Sequence, residues 1–254
     1  MIQIHRTRGI VLDIKDLKEQ DKLITVLTEN GKLKLKGKGM KKSSAKLAPY
    51  FQLFNLVNIE IAKGKKFDLI IGVQLENSFL NLKKDLSFLF YGFYFLELVN
   101  KLIEEEISDP KGKELFDLLL ECLNYLDELK KDILPLVLVY FQLKLTKILG
   151  YAPQFENCIK CGKDNLKEKN LFSFELGGVL CEKCRNNREG ILISDKLRET
   201  GTYILENEFS QIFSSKINNE LLKKLNKLMQ IFIKYHLGDK EIKSVNFLEY
   251  ANFL

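Results

Sequence analysis

KLITVLTENGKLKLK, residues 22–36, decides the fold of the first third of the chain. Lys22–Thr28 is short, apolar and β-branched, and Lys32–Lys36 alternates lysine with leucine, so both read as strands. Asn30-Gly31 between them is a two-residue hairpin signal, because both central positions of a type I′ turn need positive φ. Period two then puts Leu33 and Leu35 on one face and Lys32, Lys34 and Lys36 on the other. The leucines are expected inside, and the lysines are expected as a row outside.

Working outward, Thr7–Ile14, Phe51–Ala62 and Phe67–Glu76 carry the same strand signature, with Gly64-Lys65-Lys66 as a turn. Five such strands suit a small closed barrel, an arrangement that leaves no exposed sheet edge. The lysine row continues into Gly37–Ser44, read as a flexible loop. From Leu80 the period becomes helical. Asp85–Glu106 is apolar on nearly every side and reads as a central helix, and Lys113–Lys130 is amphipathic. Asp132–Leu149 is expected to begin at a capping Asp132, to hold Pro135 in its first turn and to stop at Gly150. Ser194 caps Asp195–Asn207, and Asn218–Leu237 closes the helical part. The fold class is therefore multidomain α+β: a barrel over 1–79, a helical domain over 80–157 and 188–254, and a cysteine module inserted at 158–187.

The chain has 254 residues, enough for two domains with a small appendage. Met1–Arg8 lacks the apolar core of a secretory signal. Phe88–Leu96 is the most apolar run, about half of the roughly 20 residues that span a bilayer. The expected location is the cytoplasm, without a membrane, where thiols stay reduced. Charge is unevenly spread. Residues 1–80 hold 15 Lys/Arg against 8 Asp/Glu, whereas 81–254 hold 25 against 26. No acid occurs between Glu29 and Glu60, while Lys32, Lys34, Lys36, Lys38, Lys41, Lys42 and Lys46 crowd together. A field this one-sided suits a polyanion, the alternative being a solvated lysine-rich loop.

Cys158-Ile-Lys-Cys161-Gly162 and Cys181-Glu-Lys-Cys184 are two Cys-x-x-Cys knuckles with 19 residues between them. This spacing is that of a structural zinc site, because a two-residue spacer lets one turn present both sulfurs to a single ion. The segment Leu171–Leu180, with Gly177-Gly178 at its turn, reads as a hairpin delivering the second knuckle to the first. Four thiolates leave no open coordination position, so one structural Zn²⁺ is expected and no metal chemistry; redox dithiols are the other reading. Lys160, Lys163, Lys183 and Arg185 offset the site's negative charge. Cys122 fits a helical core position. Gly31–Gly39 fails as a Walker loop: its glycines are one residue too far apart, and Gly39 stands where Ser or Thr should bind magnesium. His5 and His236 read as structural or surface residues. With no catalytic constellation, the chain is expected to be a binding protein and not an enzyme.

These features, in order, resemble the RecO family of bacterial recombination mediators. The residues that carry the resemblance begin with Thr7-x-Gly9-Ile-Val-Leu12, Asp21-Lys22, Thr28-Glu-Asn-Gly31 and Gly37-Lys-Gly39. They continue through Phe93–Leu98, Lys147–Pro153, both knuckles, Phe172–Gly178 and His236–Ser244. The resemblance implies an N-terminal OB-fold, a helical domain and a zinc module. It also implies binding of single- and double-stranded DNA, annealing, and work with RecR to place RecA on DNA coated by single-strand-binding protein, whose acidic tail is contacted. The expected DNA face combines Arg6, Arg8, Lys32, Lys34, Lys36, Lys38, Lys41, Lys42, Lys46, Lys63, Lys65 and Lys66. Tyr50, Phe51 and Phe54 lie close in sequence and either stack on bases or fill the barrel core. An RNA- or ribosome-binding module is the alternative function, since OB barrels and zinc ribbons suit that role too.

Overall fold

The computed structural model describes residues 4–103, 110–128, 130–164, 170–238 and 240–250. Parts of the sequence expectations that touch 1–3, 104–109, 129, 165–169, 239 and 251–254 lie outside the described residues. The chain divides into two compact units, Met1–Leu129 and Lys130–Leu254.

In the first unit, β1 (Ile4–Leu17), β2 (Asp21–Thr28), β3 (Gly31–Gly37), β4 (Leu56–Ala62) and β5 (Asp68–Asn77) close into a barrel of order β1-β2-β3-β5-β4. β3 and β5 run parallel, with Leu35 beside Asp68, and β1 closes the barrel against β4. This is the small closed barrel expected from the strand pattern, and it is OB-like, as the family resemblance implies. Its core packs Val11, Ile24, Val26, Leu35, Val57, Ile59 and Ile61, with Leu33 partly buried against them.

Three expectations need correction. First, the β2–β3 turn pairs Thr28 with Gly31, so Glu29 and Asn30 form the loop, and positive φ falls on Gly31 alone at 105°. A single left-handed glycine after the turn replaces the type I′ geometry, and the Thr28 hydroxyl accepts from Asn30 N and donates to Gly31 O. Second, Lys32 does lie on the outer face of β3, but that end of the strand is covered. Its ammonium is buried and donates to the Asn100 carbonyl at 2.6 Å, so it does not belong to an exposed row. Third, the lysine loop is anchored. Met40 enters the barrel core, Gly39 N donates to Asp21 and Lys41 N donates to Gln20 O. Of the three aromatics that either stack on bases or fill the core, Phe51 and Phe54 are buried and Tyr50 is exposed.

Two helices complete the first unit. α1 (Leu86–Leu102) is capped by Asp85, whose side chain accepts from Ser87 N. It packs so closely at Gly92 that a Cβ there would meet the Phe54 ring at 2.7 Å. α2 (Lys111–Asp127) meets the β2–β3 turn at Gly112, where a Cβ would sit 2.4 Å from Glu29 O. Cys122 is fully buried on α2, where burial pushes its thiol well up. These helices group with the barrel by compactness, although the helical pattern begins at residue 80.

The second unit is built on α3 (Leu134–Leu149), α4 (Asp195–Glu206), α5 (Phe209–Ser214), α6 (Asn219–Leu237) and α7 (Val245–Tyr250). α3 starts after a 3₁₀ turn holding Asp132, so Ile133 and not Asp132 is its N-terminal neighbour. Pro135 does occupy the first turn, and Gly150 ends the helix at φ 89°. Ser194 caps α4 as expected, accepting from Leu197 N at 3.3 Å. Between α3 and α4 lies a small sheet of order β7-β6-β8, formed by β6 (Asn170–Ser173), β7 (Gly178–Leu180) and β8 (Ile191–Ile193). The hairpin of β6 and β7 was legible. β8, with α5 and α7, is too short to show a period. Phe172 of β6 fixes this sheet by ring contacts to Phe155 and to Phe232 of α6.

Candidate nucleic-acid interface and metal centre

The basic surface is built on β3 and the loop that follows it. Alternation along β3 turns Leu35 inward and Lys34 outward, and Lys36 is held part-buried by Asp21 at 2.8 Å. Beyond Gly37 the chain folds back, so Met40 points into the barrel while Lys38 and Lys42 stay exposed on either side of it. Lys41 pairs with Asp16 at 2.8 Å, and Lys46 is exposed further along. The β3–β5 pairing brings the β4–β5 turn, Lys63–Phe67, beside Lys34. There Asp68 accepts from Gly64 N, and Gly64 is required because a Cβ would lie 1.9 Å from Phe67 O. Lys65 and Lys66 are exposed, and Lys63 approaches Asp68 at 3.5 Å. In OB barrels the strand 2–3 face and the β1–β2 and β4–β5 loops form the usual oligonucleotide surface.

The two arginines are occupied. Arg6 pairs with Glu60. Arg8 pairs with Glu76, with its guanidinium 5.5 Å from the centre of the Phe116 ring of α2. The Arg8 hydrogen bond holds the Glu76 carboxyl below its ordinary range. Arg8 therefore ties the barrel to α2, and phosphate would have to displace a carboxylate to reach either arginine. Among the basic residues that the sequence reading passed over is Lys18, exposed at the tip of the β1–β2 turn with φ 58°. Its signal was its place between the first two strands, not its membership of a charge run.

In the second unit Cys158, Cys161, Cys181 and Cys184 converge, with their sulfurs all within 4.8 Å of one another and Cys161 Sγ 3.8 Å from Cys181 Sγ. Both knuckles are tight turns. Gly162 N donates to Cys158 O with Gly162 at φ 71°, and Cys184 N and Arg185 N donate to Cys181 O. Burial opposes ionisation of Cys158, yet backbone N–H groups of Cys181, Cys161 and Lys160 bring it down to about 6. Cys184 is pushed up to about 12, first by its hydrogen bond to Cys181. Thiols this close do not all ionise without a cation among them. Sulfurs at about 2.3 Å from one tetrahedral ion would stand roughly 3.8 Å apart, so the cluster fits a metal ion. His236 lies apart from the cluster, stacked on Tyr151 at 4.8 Å, and burial lowers its pKa.

An OB-like barrel with a lysine-rich face, followed by a helical unit carrying a four-cysteine ribbon, defines the class of protein. The family model for the Recombination protein O N terminal matches residues 1–79, and that for the Recombination protein O C terminal matches 83–245. The chain is 33% identical to "DNA repair protein RecO" of Dehalococcoides mccartyi strain 195 over 245 residues, covering 96% of this chain and 94% of that protein. It is 30% identical to the protein of that name from Thermoanaerobacter sp. strain X514 over 251 residues, covering 97% and 98%. The Clostridium novyi protein is 29% identical over 255 residues, covering 99% and 97%. The chain belongs to the Recombination protein O family.

Proposed function

We propose that this protein is a recombination mediator in DNA repair that binds single- and double-stranded DNA and anneals complementary strands. With RecR, it helps load RecA onto DNA coated by single-strand-binding protein, whose acidic C-terminal tail it contacts. Family membership and the relatives' printed names support the repair role. The observation that carries DNA binding is the exposed set Lys38, Lys42, Lys46, Lys65 and Lys66 around the OB-like barrel, with Lys34 among them. Lys36, Lys41, Arg6 and Arg8 are secondary, because each already meets a carboxylate.

Lysines gripping phosphate displace counterions without reading sequence, so affinity should fall with salt, with a log–log slope of roughly −0.7 per neutralised phosphate on single strands. Annealing requires two strands held with charge screened and bases free, which backbone contacts allow. Tyr50, exposed at the end of the lysine loop, is the aromatic available for stacking. We assign Zn²⁺ to the four cysteines on thiolate chemistry, as a structural ion closing the ribbon.

The test is binding and annealing of single-stranded oligonucleotides by the full chain between about 50 and 200 mM salt. Wild type is compared with Lys34, Lys36, Lys38, Lys41 and Lys42 changed to Glu. Loss of binding and a flatter salt slope in the variant are expected. Salt-indifferent binding by the wild type would sink the electrostatic account, and preference for structured RNA over single-stranded DNA would favour the ribosomal alternative.

A further inference from the structure

A loop that binds a flexible polyanion through lysines has no need to be ordered, yet this one is fastened residue by residue. Gly37 packs on Met40 so tightly that a Cβ there would lie 2.2 Å from the Met40 sulfur. Gly39 takes a left-handed φ of 67°, and its N–H donates to Asp21 Oδ1 at 2.8 Å. Met40 is 5% exposed among Val11, Ile24, Leu35 and Phe51. Lys41 is held twice, by its N–H to Gln20 O at 3.0 Å and by its ammonium to Asp16 at 2.8 Å. Two further turns follow, Lys42 N to Gly39 O and Ala45 N to Lys42 O. Lys38 and Lys42 lie among these fastenings with their side chains exposed, as does Lys41.

The position of Asp21 is the informative one. It places an acid in the middle of the most basic surface of the chain, where a carboxylate repels phosphate. Its two oxygens are both used: one receives Gly39 N and the other receives Lys36 Nζ at 2.8 Å. The carboxylate thus joins the end of β3 to the loop that leaves it, starting from the first residue of β2.

We propose that Asp21 and Met40 are positioning residues of the DNA interface, which hold Lys38 and Lys42 in a preset arrangement so that binding does not have to order the loop. This rests on the reading of the lysine face as the DNA site and deepens it. Ordering long side chains and their loop at the moment of binding costs affinity, and a loop already fixed avoids that cost. The consequence has an unusual sign. Removing an acid from a DNA-binding face ordinarily tightens binding; here removal of Asp21 should weaken it.

The experiment uses the full chain and a fluorescent single-stranded oligonucleotide, with Asp21→Ala, Asp21→Asn and Met40→Ala. Thermal melts fix a temperature at which each variant is folded. Asp21→Ala should bind roughly tenfold more weakly, despite its gain of positive charge. Asp21→Asn keeps an acceptor for Gly39 N but gives up the acceptor for Lys36, which is freed for phosphate, so it should bind as well as wild type or better. Met40→Ala should repeat the loss with no change of charge. Trypsin should cleave at Lys38–Lys42 faster in Asp21→Ala and Met40→Ala, and at the wild-type rate in Asp21→Asn. If Asp21→Ala binds as tightly as Asp21→Asn while wild-type binding remains salt-dependent, the positioning role is overturned and the interface stands. If wild-type binding does not respond to salt, the interface falls and the positioning role falls with it.

Discussion

Lys32 and Lys42 have the same side chain and opposite duties. The Lys32 ammonium satisfies a carbonyl in the last turn of α1, where helices leave orphan acceptors. Lys32→Ala should therefore lower stability by about 1–3 kcal/mol in denaturant unfolding and leave the DNA affinity of the folded protein unchanged. Lys42→Glu should do the reverse. Asp21 gives the pH dependence at this scale. Its carboxyl is held below the ordinary value, first by the Lys36 hydrogen bond and then by Gly39 N. A depressed folded pKa adds stability above the unfolded value of about 3.9 and loses it as pH falls through the folded value. Asp16, lowered first by Lys41, acts in the same direction. The Gly39 amide resonance should therefore hold from neutral pH down to about 4 and change only below it. A loop transition centred near neutrality would contradict this.

Among the elements, α2 and the ribbon make separable predictions. At Gly112 the obstacle to a side chain is backbone, Glu29 O at 2.4 Å and Gly31 N at 3.3 Å, so neither can swing aside. Gly112→Ala should cost about 1–3 kcal/mol by forcing α2 off the β2–β3 turn, read as a lower denaturation midpoint. If the four cysteines hold the proposed zinc, the ribbon depends on it, because β6, β7 and β8 have only three or four residues each and cannot hold a sheet by pairing alone. Cys158→Ser or a strong chelator should release one equivalent of zinc and lower the melting temperature. DNA binding by the folded barrel should persist. Abolished DNA binding with folding intact would show that the ribbon itself takes part in the interface.

For the molecule as a whole, charge is divided along the chain: the excess of Lys/Arg lies in residues 1–80 and the remainder is balanced. The salt slope of binding should follow that division. Changing Lys38, Lys42 and Lys46 to Glu should flatten the slope by about 2, whereas changing Lys196 and Lys216, exposed in the second unit, should leave it in place. Among the described residues no helix is long and apolar enough to cross a membrane. Much of this organisation could be read directly. Alternation at Lys32–Lys36 gave the strand and its inward leucines, and the knuckle spacing gave the cysteine cluster, because both are local codes written in a few consecutive residues. The expectation of a flexible lysine loop failed because Met40 is one apolar residue in a polar run, and only the barrel core shows where it goes. The exposed status of Lys32 failed because period two assigns a face of a strand, not what covers that face. What the sequence alone determined was periodicity, charge and ligand spacing, each a property of neighbours in the chain. What tertiary structure decided was which lysines remain exposed, since burial under α1 and pairing with Asp16 and Asp21 depend on residues distant in sequence.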